Sequence, residues 1–226
     1  MNKRLRLLRK HNRSQIVNTG TEMTALNQKQ LDKISKFLSF ILRHKPEAIG
    51  LKLDKEGWAG IDWMIKLAET SADGLAFDQA ALMQVVETNA KKRFEISADG
   101  MKIRAVQGHS TDDVARVFEE KQPPKILFHG TARKTLDAIL DSGLLPMGRQ
   151  LVHLSEDYDT AVQVGQRHGK PIVLAVHARV MHRLGKKFFQ AENGVWLTES
   201  VAVDYIDVIL RRPNAEQESK DSNQAE

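Results

Sequence analysis

No cysteine occurs among the 226 residues. Its absence excludes disulfides, a thiolate nucleophile and any Cys-based zinc site, and it fits a reducing cytoplasm. No apolar run approaches the length of a membrane-spanning helix, and the basic start is followed by no apolar stretch of the signal-peptide kind. The expectation is a soluble, cytoplasmic protein without membrane contact. Neither G-x-G-x-x-G nor G-x-x-x-x-G-K-[ST] is present, so neither the Rossmann nor the P-loop mode of nucleotide binding is supported. The eight His are dispersed, with no H-E-x-x-H or comparable His–carboxylate spacing, and no metal is expected. A Ser–His–Asp triad has no support either, since no G-x-S-x-G turn exists.

What the chain does have is positive charge, +5 net, spread unevenly. Such a balance fits an anionic partner without identifying it. Residues 1–28 form a basic extension, densest from Lys3 to Arg13, and 213–226 form a polar tail of mixed charge. At 41% hydrophobic, the remainder can bury one large core or two modest ones.

Leu31, Ile34, Phe37, Leu38, Ile41 and Leu42 recur at helical spacing, and the helix closes in Arg43-His44 ahead of Pro46. The simplest role for those cations is to satisfy the last helical carbonyls. Leu51-Lys52-Leu53 alternates like a short strand, Asp54 to Gly57 reads as a turn, and helices are predicted over 61–68 and 77–89. Residues 93–96 and 101–104 alternate around Ala98-Asp99-Gly100, a hairpin pattern. Three helices followed by a two-stranded wing predict a winged-helix-like domain over 29–106. Residues 107–125, containing Gly108-His109-Ser110 and Pro123-Pro124, read as a linker. Strands are then predicted over 126–129, 151–154, 171–177, 187–191, 194–198 and 205–210. Helices are predicted over 132–141 (stopped by Gly143), 158–167 and 178–184. The fold class is therefore α+β, with a strand-rich second domain over 126–212.

Two features carry chemistry. A strand ending in Phe128-His129-Gly130-Thr131 offers a hydrogen-bonding side chain, a closely approachable backbone and a hydroxyl at one rim, which suits a ribose or amide ligand. Isolated basic residues also sit at element ends: Arg43 and His44 after the first helix, Arg93 opening the wing, Arg149 before a strand. Arginine forks onto phosphate oxygens and stays charged at any working pH. Should these positions converge, they make a phosphate pocket.

Leu38 to Pro46, Gly57-Trp58, Lys92-Arg93-Phe94 and Gln107 to Ser110 resemble the N-terminal half of the RNA 2′-phosphotransferase family. Phe128 to Thr131, Gly143-Leu144, Met147 to Ser155, Gly169-Lys170-Pro171 and Asn193 to Thr198 resemble its C-terminal half, with the blocks in family order. The resemblance implies a winged-helix lobe joined to an ADP-ribosyltransferase-like, NAD-binding lobe. It further implies removal of an internal 2′-phosphate from RNA by transfer to NAD+, without metal. The 2′-phosphate attacks the anomeric carbon of the nicotinamide ribose and expels nicotinamide. The ribose 2″-hydroxyl then attacks phosphorus, leaving 2′-hydroxyl RNA and ADP-ribose 1″,2″-cyclic phosphate.

Carried over by position, the family's essential set falls on Arg43, His44, Arg93 and Arg149. The resemblance puts His129, Gly130 and Thr131 on NAD+, with His129 on the adenosine ribose and the Gly130 backbone on the nicotinamide carboxamide. Ser155 becomes a ribose contact or a support behind one. His109 and Ser110 become either substrate-phosphate contacts or junction hydrogen bonds. Trp196 reads as core, His153 and His177 receive no role, and Glu192 and Glu199 flank the region where related enzymes carry a catalytic Glu. The partners expected are RNA bearing an internal 2′-phosphate and NAD+, acting on a monomer. Two other readings stand beside this one: an ADP-ribosyltransferase that stops after the first step, and a winged-helix regulator that senses NAD+ without catalysis.

Overall fold

The computed structural model describes residues 27–210; the basic run and the polar tail lie outside them. Helix α1 (Gln28–Arg43) starts at a capping box, in which Asn27 Oδ1 accepts from Gln30 N–H and Gln30 Oε1 accepts from Asn27 N–H. Leu31, Ile34, Leu38, Ile41 and Leu42 form its buried stripe. That stripe packs against α2 (Ile61–Thr70) and α3 (Gln79–Glu87, capped by Asp78) in one apolar cluster. An antiparallel sheet closes this half, with strands β1 (Ala59–Gly60), β2 (Phe94–Ile96) and β3 (Lys102–Ala105) in the order β1-β3-β2.

The strand predicted over Leu51–Leu53 does not form. Leu51 alternates with its neighbours because its side chain enters the core, while its N–H closes the turn onto the Pro46 carbonyl. Asp54 Oδ1 then gathers the amides of Glu56 and Trp58, and the pairing strand is delayed to Ala59. Burial, not a ladder, wrote that pattern.

Residues 107–125 are a packed strap. Gly108, His109 and Val114 are buried. The Ala115 N–H donates to the Lys55 carbonyl, and Lys121 N–H donates to the Phe188 carbonyl. The strap is thus sewn to both halves of the molecule.

The C-terminal half holds two small antiparallel sheets. One has the order β4 (Leu127–Ala132), β6 (Pro171–Val176), β9 (Ile206–Ile209); the other has β5 (Val152–Leu154), β8 (Trp196–Thr198), β7 (Phe189–Gln190). They meet at one bridge, Phe128 to Ser155. Helix α4 (Leu136–Ser142) ends at Gly143, φ 79°, where the sequence predicted its stop. Helices α5 (Tyr158–Gln166) and α6 (Ala178–Arg183) complete the half. The architecture is α+β with small antiparallel sheets. Strand β4 runs three residues past the predicted 126–129, because Arg133 N–H still reaches the Lys170 carbonyl across the ladder. His129-Gly130-Thr131 therefore lies within the strand, and helix α4 starts only after a 3-10 turn over Arg133–Thr135. Among the described residues no helix is long and apolar enough to cross a membrane.

Candidate active site

Arg43 ends α1, and His44 caps it by donating its N–H to the Phe40 carbonyl. Only 9% of Arg43 is exposed, and its Nε and Nη2 have no hydrogen-bond partner. A buried guanidinium with idle donors is costly unless something occupies them. Burial first, then Arg149 and then Arg93, lowers its pKa to about 10. Partial burial, then Arg43, then Arg149, lowers that of His44. Four residues from three distant places in the sequence thus share one electrostatic neighbourhood. Among the described residues, no carboxylate pairs with Arg43, Arg93 or Arg149. Arg43, His44 and Arg93 line a cleft of about 470 Å³. Unneutralised positive charge around a hollow is an anion site.

Arg93 and Arg149 are aimed by residues that nothing in the sequence singles out, and His44 by Ser110, which the sequence does single out. Asn89 is a hub: its Oδ1 accepts from Arg93 Nη1 at 3.4 Å, and its Nδ2 donates to Ser35 Oγ on α1 at 3.3 Å. It also fixes the tight turn in which Lys92 takes φ 42°. Arg149 is exposed on a turn whose N–H returns to the Pro146 carbonyl. The next residue, Gln150, donates Nε2 to the Thr111 and Val114 carbonyls and so pins that turn to the strap. Ser110 N–H donates to the Arg43 carbonyl, and its Oγ lies 2.9 Å from His44 Nδ1. His44 is thereby left with Nε2 for other contacts. His109 is 4% exposed, with its Nε2 unpartnered against Gly57, whose positive φ of 81° and missing side chain make the space. Burial first, then Arg116, Arg43 and His44, brings its pKa down to about 4. Ser110, itself exposed, is thus tied to both Arg43 and His44, while His109 lies buried close enough to feel both.

Beyond the Phe128–Ser155 bridge the register would next pair Gly130 with His153, but the strands part. The His153 carbonyl accepts from His129 Nδ1 at 3.1 Å instead. Amides alternate sides along β4: Arg133 N–H faces β6 and Phe128 N–H faces β5, so Gly130 turns its N–H and C=O into the gap. With Nδ1–H donated, His129 offers Nε2 as an acceptor, and burial keeps its pKa low. Thr135 spends its proton on the Ala132 carbonyl, so Thr131 Oγ1 donates to Thr135 and offers lone pairs. Ser155 Oγ is engaged locally with the Asp157 backbone at the start of α5. Gly130 also has a structural reason: a Cβ there would collide with the Ala161 carbonyl of α5.

His153, given no role from sequence, belongs to this neighbourhood. Its Nε2 is buried without a partner, and burial, then Arg149, pushes its pKa down to about 3. Trp196 is core, as predicted, with Nε1 donating to Glu156 Oε1 at 2.6 Å. Glu192 is bound to Arg104 at 3.1 Å and, more closely, to Arg116. Glu199 is exposed and makes no such pair. No sequence signal marks Asn89, Gln150 or His153, since each acts through a neighbour distant in the chain.

The model of the "RNA 2′-phosphotransferase, Tpt1 / KptA family" matches residues 29–200. A protein of Pseudomonas aeruginosa (strain UCBPP-PA14), described as a probable RNA 2′-phosphotransferase, is 56% identical over 80% of this chain and 98% of its own. The RNA 2′-phosphotransferase of Escherichia coli (strain K12) is 54% identical over 82% of this chain and all of its own. A probable RNA 2′-phosphotransferase of Shigella boydii serotype 18 is 55% identical over the same shares. With the match spanning the anion cleft and the parted strands alike, the chain belongs to the RNA 2′-phosphotransferase family.

Proposed function

We propose that this protein removes an internal 2′-phosphate from RNA by transferring it to NAD+. The observation that carries the reading is the gathering of Arg43, Arg93, Arg149 and His44 with no carboxylate among them. In this reading the N-terminal half is a winged-helix-like lobe and the C-terminal half an ADP-ribosyltransferase-like lobe, with the strap between them.

The parted strands fit NAD+. Gly130 offers one N–H and one C=O side by side, the complement of a primary carboxamide, while His129 Nε2 and Thr131 Oγ1 can accept from ribose hydroxyls. When bound, NAD+ supplies an electrophilic ribose carbon with a cationic leaving group and a neighbouring hydroxyl. Arg43, Arg93 and Arg149 bind the RNA 2′-phosphate dianion and offset its repulsion from a pyrophosphate. Their forks orient the attacking oxygen in the first step and take up charge on the phosphoryl oxygens in the second. His44, held at Nδ1 by Ser110, turns Nε2 toward the phosphate and moves the proton of the second step.

The test is a short RNA carrying one internal 2′-phosphate, incubated with and without NAD+ in the presence of chelator. NAD+-dependent phosphate loss with ADP-ribose cyclic phosphate as product is expected. A stable ADP-ribosylated RNA would mean the reaction stops after its first step. A strict divalent-ion requirement would overturn the mechanism.

A further inference from the structure

The cleft does not end at the arginines. It runs on along α1 past Ser39, Phe40, Lys36 and Ser35 to Asp32. Spacings of three and four residues put these positions on one stripe of the helix, beside the stripe buried in the core. From Arg43 back to Lys36 is seven residues, about 10 Å along the axis.

We infer that this stripe carries the single-stranded RNA that flanks the 2′-phosphate: Lys36 and Ser39 hold the adjoining phosphodiester, and Phe40 stacks the neighbouring base. The inference rests on the proposed phosphotransfer, since a phosphate fixed by the arginines leaves the attached strand needing a path. Phe40 is 40% exposed on an otherwise polar stripe, whereas Phe37 already packs on the core edge-on to Phe77. An aromatic face beside a cationic groove is how single strands are held without reading their sequence. Lys36 is exposed one helical turn from Ser39 and extends the positive charge beyond the arginines. Asp32, accepting from Gln28 Nε2 at 3.0 Å, closes the far end with negative charge and turns the strand out of the cleft there. Duplex RNA would keep its bases from Phe40, so the site selects unpaired flanks.

Two probes separate the path from the phosphate pocket: an oligoribonucleotide with one internal 2′-phosphate, and the lone 2′-phosphorylated nucleotide. Both are followed by steady-state kinetics and by direct binding in fluorescence anisotropy. Phe40→Ala is expected to raise KM and Kd for the oligonucleotide about tenfold, and Lys36→Ala about fivefold with a shallower salt dependence. Values for kcat stay within about twofold, and KM for NAD+ and for the lone nucleotide does not move, because only binding remote from the reacting atoms is removed. Phe40→Trp restores the oligonucleotide affinity. Lys66→Ala, at an exposed position on α2 outside the lining of the cleft, controls for diffuse charge and changes Kd less than about twofold. Equal loss on both probes, a raised KM for NAD+, or an equal effect of Lys66→Ala would overturn the path. Affinity that depends on Phe40 without any turnover would keep the path and remove the phosphotransfer reading. Both substituted side chains are exposed, and a matching Tm shows each variant folded.

Discussion

Arg43 sets stability against function at a single residue. Its guanidinium is buried, its Nε and Nη2 are idle, and Arg149 and Arg93 press on it. Arg43→Met should therefore keep Tm or raise it, since a buried unpaired charge is removed and its volume refilled. Turnover should fall at least about a hundredfold, and Arg43→Lys should not restore it, because a point charge cannot replace a fork. A thermal melt and a single-turnover assay check both halves. The neighbouring imidazoles give a pH signature. His109 and His153, lowered to about 4 and about 3 chiefly by burial, stay neutral in the fold at pH values where an unfolded His, with its pKa near 6.5, would charge. The unfolded state thus binds more protons below pH 6.5, so stability is full above that value and drains as pH falls toward 4 and then 3. Melts across this window should show the decline, and His109→Gln should flatten its upper part.

Among the elements, the seating of α5 on β4 governs the edge of β4 proposed to meet NAD+. Gly130 lets the Ala161 carbonyl approach the strand, and Gly165 lets α5 approach Thr131. Gly130→Ala forces helix and strand apart, which should cost about 3 kcal/mol or more and appear as a large Tm loss. The turn before β5 is a milder case. Gln150 ties it to the strap, and Gln150→Ala removes that tie without touching Arg149 itself. A fall in kcat with little change in Tm is expected, as the arginine loses its aim. Unchanged kcat would mean the turn holds its own shape.

For the whole molecule, the decisive feature is the junction that holds Arg149 against Arg43 and Arg93. Arg104 from the N-terminal half and Arg116 from the strap share Glu192 from the loop before β8, and Arg104 also pairs with Glu95 at 2.7 Å and lies over Trp58 at 4.3 Å. Burial alone would raise the Glu192 pKa, but Arg116 and then Arg104 hold it below the usual carboxylate range. Glu192→Gln leaves two largely buried arginines short of an acceptor. A stability loss on the order of 1–3 kcal/mol should accompany a higher KM for RNA, measured with NAD+ saturating. A KM unmoved while stability falls would show that the junction supports the fold without setting the cleft.

The chain alone settled what depends on neighbours along it. Helical spacing from Leu31 to Leu42 placed α1, Gly143 stopped α4, and alternation around Asp99-Gly100 placed the β2–β3 hairpin. The basic candidates were legible because arginine at an element end is a local fact. Whether they met was not. The hub at Asn89, the clamp at Gln150 and the parting of β4 from β5 join residues far apart in sequence, and no periodicity encodes such distances. Leu51 shows the same limit from the other side: its alternation was real, but only packing could say that it served burial and not a strand. Local propensity chose the elements, and the tertiary fold decided that Arg43, Arg93 and Arg149, with no carboxylate paired to any of them among the described residues, would share one neighbourhood.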